Sequence, residues 1–209
     1  MQRLDRPDPP LLFTVAITVW QREEMLPHAI QTVLRQTYPR WEILVYSDGG
    51  SRLTRETVAG LDAAIPIRYR EVRRRPKQWG NHLRRLALEE GSGSHVCFLG
   101  HDCLLYPSYL ETHLANLEGN VDGLSVVPVD YWRKNRLDVK QPLNPDMMNL
   151  HDGEIDLLCI AYPRRLALEV GCFSEDMQRL RYADYVSFDR LRQLTSPVYR
   201  PGPTQASHF

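Results

Sequence analysis

Three short apolar runs of this chain are each followed by a group of polar, charged or glycine residues. The first group is residues 18–22, the second is residues 47–51, and the third is Gly100, His101 and Asp102. If the runs are strands of one open α/β sheet, the loops after them meet at one rim, where such sheets bind ligands. A carboxylate and an imidazole at that rim face a crevice rather than the core. Asp102 and His101 are therefore the first candidates for chemistry.

Strand-like and helix-like patterns alternate along most of the chain. The predicted strands cover residues 13–20, 41–46, 65–72, 96–99 and 124–129. The predicted helices cover residues 25–36, 55–61, 80–90, 107–117, 164–170 and 183–194. This alternation predicts an α/β fold with a mainly parallel sheet and helices on both faces. Pro66 predicts an edge position for the third strand, because proline cannot donate to a central ladder.

A length of 209 residues is enough for one domain with its own hydrophobic core. Residues 1–12 are mostly polar and rich in proline, which predicts a loose N-terminal arm. Residues 197–209 contain proline and glycine and are predicted to form a flexible tail. Residues 130–150 show no clear period and are predicted to be an irregular segment, of the kind that is often functional or mobile.

The charge balance and the cysteine pattern restrict the class of protein. The formal net charge is zero, so no overall field attracts the chain to nucleic acid, and we expect no nucleic-acid partner. The four cysteines show no CxxC spacing, which favours reduced thiols and a cytoplasmic location. The apolar run 11–20 is too short to cross a bilayer and lacks the layout of a signal peptide. Peripheral contact with a membrane surface stays open, and the sequence does not define the oligomeric state.

Taken in order, the motifs resemble those of the GT-A-fold glycosyltransferases of the large family 2 type. Residues 13–22 are similar to that family's opening strand and turn. Residues 98–107 resemble the strand and turn that hold its DXD metal motif. The other similar segments are residues 33–45, 47–51, 80–88, 171–175 and 183–190. The resemblance extends over roughly residues 13–194, in the order expected of the family.

The resemblance implies both a domain plan and a reaction. A single GT-A (Rossmann-like) domain would cover residues 13–196, with a nucleotide-binding half, 13–117, and an acceptor-binding half, 118–196. A sugar would pass from a nucleoside-diphosphate sugar to a hydroxyl group of a polysaccharide, a lipid-linked saccharide or a small natural product. The family's chemistry implies inversion at the anomeric carbon.

The resemblance also implies roles for single residues. Asp184 would be the general base that takes the proton from the acceptor hydroxyl. Asp102 and His101 would bind Mn²⁺ or Mg²⁺ at the diphosphate. Arg84 would pair with phosphate oxygens, and the ring of Trp20 would stack on the nucleobase. The full set implied for donor binding is Thr18, Val19, Trp20, Arg22, Asp48, Arg84, His101 and Asp102.

Three positions depart from the family pattern. Gly100 replaces the first acid of the DXD motif, Ser47 replaces the first acid of the Asp-Asp-Gly-Ser turn, and Ala183 replaces a glutamate. These losses motivate an alternative, a non-catalytic module that keeps the fold and binds a nucleotide or a glycan. A third interpretation, a nucleotidyltransferase, has less support because no glycine-rich triphosphate loop follows the first strand.

Each candidate residue also has a purely structural interpretation. Asp102 and Asp184 could cap the helices that follow them, and an aspartate beside glycines, such as Asp48, is typical of a turn. Trp20 could finish its strand as a core residue. The basic run at residues 68–77 is by default a solvated face, and attraction to a diphosphate or an acidic lipid is the second hypothesis.

Overall fold

The computed structural model describes residues 11–133, 136–140 and 155–208, and for residues 131–133 and 136–140 it describes the backbone alone. Its strands are β1 (Phe13–Val19), β2 (Trp41–Asp48), β3 (Ile67–Val72), β4 (His95–Gly100), β5 (Cys103–Leu105), β6 (Leu124–Val126), β7 (Val129–Arg133), β8 (Arg136–Lys140), β9 (Ile160–Pro163), β10 (Pro197–Tyr199) and β11 (Ala206–His208). Its helices are α1 (Leu26–Leu34), α2 (Arg52–Ala59), α3 (Asn81–Glu90), α4 (Tyr109–Asn116), α5 (Arg164–Glu169) and α6 (Ala183–Arg192). The predicted arm, 1–12, lies almost entirely outside the described residues.

β1 lies inside the sheet that positions the polar loops. The described strands of this sheet follow the order β10-β6-β9-β4-β1-β2-β3. β1 pairs in parallel with both β2 and β4, and β2 pairs in parallel with β3. β9 is antiparallel to its neighbours β4 and β6. The predicted α/β fold with a mainly parallel sheet is confirmed, and β3 lies at an edge, as Pro66 predicted.

Both faces of β1 are covered by other parts of the chain. Phe13, Val15 and Ile17 on one face are fully buried, and so are Thr14 and Ala16 on the other. Successive side chains of a strand point to opposite faces, so burial of all five shows that helices and loops pack on both sides.

α1 illustrates how the apolar pattern fixes an element of this fold. Leu26, Ala29, Ile30 and Val33 are buried, and their spacing places them on one stripe of the helix. Pro27 lies in the first turn, where a backbone N–H has no partner inside the helix. α1 packs against β1 and against β5, the strand that follows the His101–Asp102 turn.

The segment predicted to be a flexible tail, 197–209, contains two paired strands among its described residues. β10 pairs in parallel with β6, while β11 pairs with both β5 and β7. The N–H of Gln205 donates to the carbonyl of Pro128 at 2.8 Å, and the carbonyl of Gln205 accepts from the N–H of Tyr106 at 2.8 Å. Open strand edges carry backbone groups that need partners, and this need outweighs the proline and glycine content of the segment.

The segment predicted to be irregular, 130–150, contains most of a hairpin. β7 and β8 pair antiparallel and belong to a second described sheet of order β5-β11-β7-β8. Residues 141–150 lie outside the described part of the chain. Periodicity missed the hairpin because strand formation depends on neighbouring strands and burial more than on an intrinsic preference.

The buried His113 makes stability depend on pH. Burial lowers the pKa of this imidazole from 6.5 to about 3, and its Nδ1 lies 2.7 Å from the hydroxyl of Ser125. Below pH 6.5 the unfolded chain therefore binds a proton that the folded chain excludes. We predict that the free energy of unfolding falls with decreasing pH between these values, with His113 contributing about 1.4 kcal/mol per pH unit.

Urea unfolding at several pH values between 6 and 4 checks this prediction with His113→Gln. We expect the slope of unfolding free energy against pH to decrease in this variant, whatever its stability at neutral pH. His28→Gln, at an exposed position, is the matched control and keeps the slope of the unmodified chain. An unchanged slope in His113→Gln would contradict the proton exclusion.

Candidate active site

A cavity of about 430 Å³ opens at the carboxyl ends of β1, β2 and β4. Strand register places Val19 opposite Ser47 and Thr18 opposite Gly100, so the three polar loops start side by side. The structure therefore brings together the groups that the sequence predicted to converge. The predicted donor-binding residues that line the cavity are Thr18, Val19, Trp20, Asp48, Arg84, His101 and Asp102.

A backbone contact of His101 identifies the ring nitrogen that carries a hydrogen. Its Nδ1 lies 3.1 Å from the carbonyl oxygen of Thr18, and a carbonyl can only accept, so Nδ1 carries the hydrogen. In the neutral ring, Nε2 then carries a lone pair. This atom is buried and has no hydrogen-bond partner among the described residues. A buried acceptor of this kind is suited to a ligand, because leaving it unsatisfied is costly.

Asp102 forms an ion pair with the guanidinium of Arg22. Arg22 has a left-handed backbone with φ of 46°, and it reaches Asp102 without itself lining the cavity. Its side chain is 61% exposed, and a pair with so exposed a member contributes little to stability. A ligand that binds Asp102 can therefore displace Arg22 at small cost.

A site with one carboxylate and one imidazole can hold a divalent ion when a phosphate substrate supplies further ligands. The described residues hold no cluster of three or more histidine, cysteine, aspartate or glutamate side chains arranged for a metal. In phosphate sites, however, Mg²⁺ takes one or two carboxylates from the protein and completes its shell with phosphate oxygens and water. Mn²⁺ accepts an imidazole more readily than Mg²⁺ does. The donor set of Asp102 and His101 thus fits such an ion.

Asp48 faces the cavity beside a histidine that the sequence analysis missed. The Nε2 of His82 lies 3.4 Å from the Oδ1 of Asp48, and the side chain of His82 is buried while that of Asp48 is partly exposed. Within the described ranges, neither of these atoms has a hydrogen-bond partner. Burial lowers the pKa of His82, and the charge of Asp48 opposes that shift. The carboxylate of Asp48 is therefore available to accept from a nucleobase or a ribose.

Arg84 is a fixed cation in the cavity wall. Its Nη1 donates to the carbonyl of Trp79 at 3.0 Å and also to the side-chain oxygen of Asn81. The guanidinium carbon lies 5.9 Å from the ring centroid of Phe173. Burial lowers the pKa of Arg84, while the nearby charge of Asp184 raises it. Because these contacts hold the guanidinium in place, little ordering is needed when it meets an anion.

Asp184 occupies the first turn of α6 and is not among the described side chains that line the cavity. It is half-buried, and burial raises the pKa of its carboxyl, whereas a backbone hydrogen bond and the charge of Arg84 lower it. Arg84, which lines the cavity, is thus close enough to interact with it. The structure places the predicted base next to the cavity wall rather than in it.

The basic run at residues 68–77 lies partly in β3 and partly in the loop between β3 and α3, and its two parts face different surroundings. Arg74, Arg75 and Lys77 line the cavity, whereas Arg68 and Arg70 form ion pairs with glutamates elsewhere on the surface. Composition alone predicted a solvated face for the whole run. The division could not be seen in the sequence, because it depends on how the loop bends after β3.

Two tryptophans with exposed rings also line the cavity. Trp20 is 46% exposed and Trp79 is 58% exposed, so Trp20 is not a core residue. The guanidinium of Arg74 lies 4.5 Å from the ring centroid of Trp20, and that of Arg181 lies 5.7 Å from the ring centroid of Trp79. Flat aromatic faces beside cations are suited to stacking with a base or a sugar ring.

Asp156 and His208 line the cavity as well, and the sequence analysis missed both. Asp156 caps a 3₁₀ turn, with its Oδ1 accepting from the N–H of Leu158 at 2.9 Å. The sequence feature that could have identified Asp156 is an acidic residue directly before an apolar run. His208 belongs to β11, in the segment predicted to be flexible, and no local pattern marks it.

Comparison with known proteins identifies the family. The model of the family described as glycosyl transferase family 2 matches residues 14–173. The chain belongs to this family. It is 28% identical over 109 residues to glycosyltransferase AglE of Haloferax volcanii, a match that covers 51% of this chain and 35% of that protein. It is 27% identical over 107 residues to an uncharacterized glycosyltransferase of Rickettsia bellii, over 51% of this chain and 15% of that protein.

Solved glycosyltransferase structures share the fold of this family 2 chain. S. aureus TarS 1–349 in complex with UDP has a TM-score of 0.74 at 11% identity, over 95% of this chain and 60% of that one. The mannosyltransferase PcManGT of Pyrobaculum calidifontis, in complex with GDP-Man and Mn²⁺, has a TM-score of 0.74 at 15% identity, over 97% of this chain and 58% of that one. The chain thus spans less than two thirds of each protein, and the likeness shows the GT-A fold.

The three departures from the family 2 pattern lie where this fold disfavours a carboxylate. Ser47 and Ala183 are buried, and a carboxylate there would lose its hydration. A Cβ at Gly100 would lie 2.9 Å from Oδ1 of Asp102 and 3.0 Å from the sulfur of Cys103. A side chain at position 100 would therefore require its neighbours to move.

We predict that replacing Arg74, Arg75 and Lys77 together with glutamine raises the Kd for UDP or GDP about tenfold or more. These cations line the cavity, and a diphosphate would lose charge-assisted hydrogen bonds in the variant. Isothermal titration calorimetry on the variant and the unmodified chain measures the change.

The matched control for this variant replaces Arg35, Arg40 and Arg52 with glutamine. All three are exposed and lie outside the cavity lining, so the net charge changes equally without altering the site. Equal weakening in both variants would show a general charge effect rather than contact with phosphate.

Proposed function

We propose that this chain transfers a hexose or a related sugar from a nucleoside-diphosphate sugar to a hydroxyl acceptor. The observation that carries the proposal is one cavity at the carboxyl ends of parallel strands that combines a carboxylate acceptor, a buried imidazole nitrogen and several cations. Membership of family 2 supports it. Complexes of TarS with UDP and UDP-GlcNAc, and of PcManGT with GDP-Man, support the class of donor.

In this proposal the donor occupies the cavity with its base near β1 and β2. The exposed ring of Trp20 offers a stacking face, and the carboxylate of Asp48 accepts from a donor group of the base or the ribose. Thr18 and Val19 border the base at the end of β1. Arg84 and the basic loop pair with the diphosphate oxygens.

Asp102 and His101 would hold Mn²⁺ or Mg²⁺ at the diphosphate. When bound, such an ion supplies Lewis-acid stabilisation to the oxygen that takes up negative charge. Arg22 would release Asp102 and turn its guanidinium toward the phosphate.

Asp184 is the proposed general base. It would take the proton of the acceptor hydroxyl as the oxygen forms a bond to the anomeric carbon, while the bond from that carbon to the phosphate oxygen breaks with its electron pair. Attack opposite the leaving group inverts the anomeric centre. The raised pKa that burial gives to the carboxyl makes it a stronger base than an exposed aspartate.

The acceptor and the cellular setting are part of the same proposal. The acceptor is a polysaccharide, a lipid-linked saccharide or a small natural product, and the basic loop would allow contact with an acidic membrane surface. The four cysteines are buried and form no disulfide within the described chain, which supports a cytoplasmic location. No described helix is long and apolar enough to cross a membrane.

A second candidate function is nucleotide or glycan binding without turnover. The absence of acids at Gly100, Ser47 and Ala183 favours it. Calorimetry with UDP, GDP and dTDP, with and without Mn²⁺, combined with a donor-hydrolysis screen over sugar nucleotides, separates the two functions. Hydrolysis of any donor supports the transferase, and binding without hydrolysis of any donor supports the binding module.

We predict that Asp184→Asn keeps nucleotide affinity within about twofold and lowers donor turnover about 10²–10⁴-fold. The amide cannot take a proton, while the charges that meet the diphosphate remain. Titration calorimetry reports the affinity and donor hydrolysis reports the turnover. Asp189→Asn, further along α6 and outside the cavity lining, is the matched control. Full turnover in Asp184→Asn would remove this residue from the mechanism.

We predict that Asp102→Ala loses both the response of activity to Mn²⁺ and about tenfold or more in affinity for the nucleoside diphosphate. The substitution removes the one carboxylate of the donor set. The measurement is nucleotide affinity across a Mn²⁺ titration, with EDTA as the metal-free reference. Asp62→Ala, at an exposed loop position, should leave the titration unchanged. A normal Mn²⁺ response in Asp102→Ala would refute the assignment.

A further inference from the structure

Trp79 combines an exposed ring with an unusual backbone conformation in the wall of the cavity. It is 58% exposed, more than any other large apolar residue that the structure describes. Its φ of 52° lies in the left-handed region, which a bulky side chain rarely adopts. Both features cost free energy, because the exposed ring stays hydrated and the backbone is strained. A ring that the fold keeps in this position is a candidate contact for a ligand.

Buried hydrogen bonds hold this ring close to the segment that leads into α6. Asn81 follows Trp79 by two residues and is buried. Its Nδ2 donates to the carbonyl of Gln178 at 3.2 Å and to the carbonyl of Leu180 at 2.9 Å. The carbonyl of Trp79 itself accepts from Nη1 of Arg84 at 3.0 Å. The start of α3 is therefore tied to residues 178–180, and Trp79 needs little ordering when a ligand binds.

Arg181 places a cation beside the same ring. Its guanidinium lies 5.7 Å from the ring centroid of Trp79. Arg181 is exposed, and no carboxylate of the described residues forms an ion pair with it. It precedes Asp184, the proposed base, by three residues. Arg84 links the two positions, since it donates to the carbonyl of Trp79 and its charge lowers the pKa of Asp184. Trp79 therefore lies on the side of the cavity next to the proposed base.

Trp20, the other exposed ring, belongs to a different side of the cavity. The guanidinium of Arg74 lies 4.5 Å from its ring centroid. A Cβ at Gly49 would lie 3.4 Å from the Cβ of Arg74, so Arg74 packs against the turn that follows Asp48. Trp20 thus shares the side where the nucleobase is proposed to bind. Because the two rings have separate cation partners on separate loops, we expect them to bind separate groups.

We infer that Trp79 and Arg181 form the acceptor subsite, and that the acceptor is a saccharide with one ring stacked on Trp79. The inference rests on the proposed function, since it requires Asp184 to act on an acceptor hydroxyl. One face of a pyranose ring carries mainly C–H groups, which leave water when they pack on a flat aromatic face. The hydroxyl oxygens at the edge of the same ring accept hydrogen bonds from a guanidinium. A lipid chain has no acceptor atoms for that cation.

The exposure of Trp79 favours the acceptor over the sugar that is transferred. The transferred sugar is attached to the diphosphate and is enclosed between it and the base. The acceptor, in contrast, enters from solvent and leaves with one more sugar. A ring that is more than half exposed can bind one sugar unit while the rest of a saccharide extends into solvent. Stacking there would hold an acceptor hydroxyl near Asp184 before the bond to the phosphate oxygen breaks.

Binding of simple glycosides to the nucleotide complex tests the inference. The probes are the methyl glycosides of glucose, galactose, mannose and N-acetylglucosamine, added to the full chain with saturating UDP or GDP. Saturation-transfer difference NMR measures their binding and suits weak complexes. We expect at least one probe to bind, and we expect Trp79→Ala to raise its Kd about tenfold or more. The Kd for UDP or GDP should stay within about twofold. Trp79→Phe keeps a flat ring and should restore most of the affinity.

Three further variants separate the ring from the cation and from the base site. Arg181→Gln should raise the Kd for the glycoside about threefold without changing nucleotide affinity. Trp20→Ala should have the opposite selectivity, with weaker nucleotide binding and an unchanged glycoside Kd at saturating nucleotide. Leu194→Ala is the matched control, because this residue is 54% exposed and lies outside the cavity lining. It should change neither affinity.

Unchanged glycoside binding in Trp79→Ala would overturn the inference, and so would a chain that binds UDP or GDP but none of the probes. Either result leaves the proposed donor site standing. Weaker UDP or GDP binding in Trp79→Ala would overturn it by placing the ring at the nucleotide. A loss confined to UDP-GlcNAc or GDP-mannose would overturn it by assigning the ring to the transferred sugar. If the unmodified chain binds no nucleotide, the proposed function fails as well, which distinguishes that case from the others.

Discussion

The candidate site depends on the parallel pairing of β1 with β2 on one side and β4 on the other. Because all three strands run in the same direction and in register, their carboxyl ends finish at one rim, with Val19 opposite Ser47 and Thr18 opposite Gly100. Burial of both faces of β1 prevents a shift in register, since a slip by one residue would exchange the sets of side chains on the two faces. The hydrophobic core therefore fixes the relative positions of Asp48 and Asp102, although neither belongs to it.

Sequence periodicity alone predicts the helices and strands whose own apolar residues pack against this core. The apolar stripe of α1 and the buried runs of β1 and β4 follow from periodicity, and the order of motifs predicted which loops share the rim. β11 could not be predicted in the same way, because its pairing is set by the free edges of β5 and β7 rather than by its own residues. His208 was missed for this reason, since β11 carries it to the cavity through strand pairings that are remote in sequence. His82 was missed because a histidine inside a helical pattern gives no sign of which side chain it will face.

The three positions that lack the motif acids of family 2 are enclosed or crowded in this structure. Ser47 and Ala183 are enclosed by the fold, and an ionised group at either position would lose more hydration than one or two neighbours could replace. At position 100 the obstacle is steric, because Asp102 and Cys103 already occupy the space that a side chain would need. The cavity is therefore intact without these acids. Their loss makes the net charge at the rim more positive.

That balance indicates what the cavity is suited to bind. Arg74, Arg75, Lys77 and Arg84 line it together, while each of its carboxylates, Asp48, Asp102 and Asp156, lies next to a basic side chain. Cations that are held in a partly enclosed space repel one another, and a bound polyanion relieves that repulsion in addition to making direct contacts. A neutral sugar alone offers no such gain, and a monophosphate offers less than a diphosphate. In the proposed function, the electrostatics of the rim would make the diphosphate part of the donor its anchor, and the exposed rings of Trp20 and Trp79 would contact the groups on either side of it.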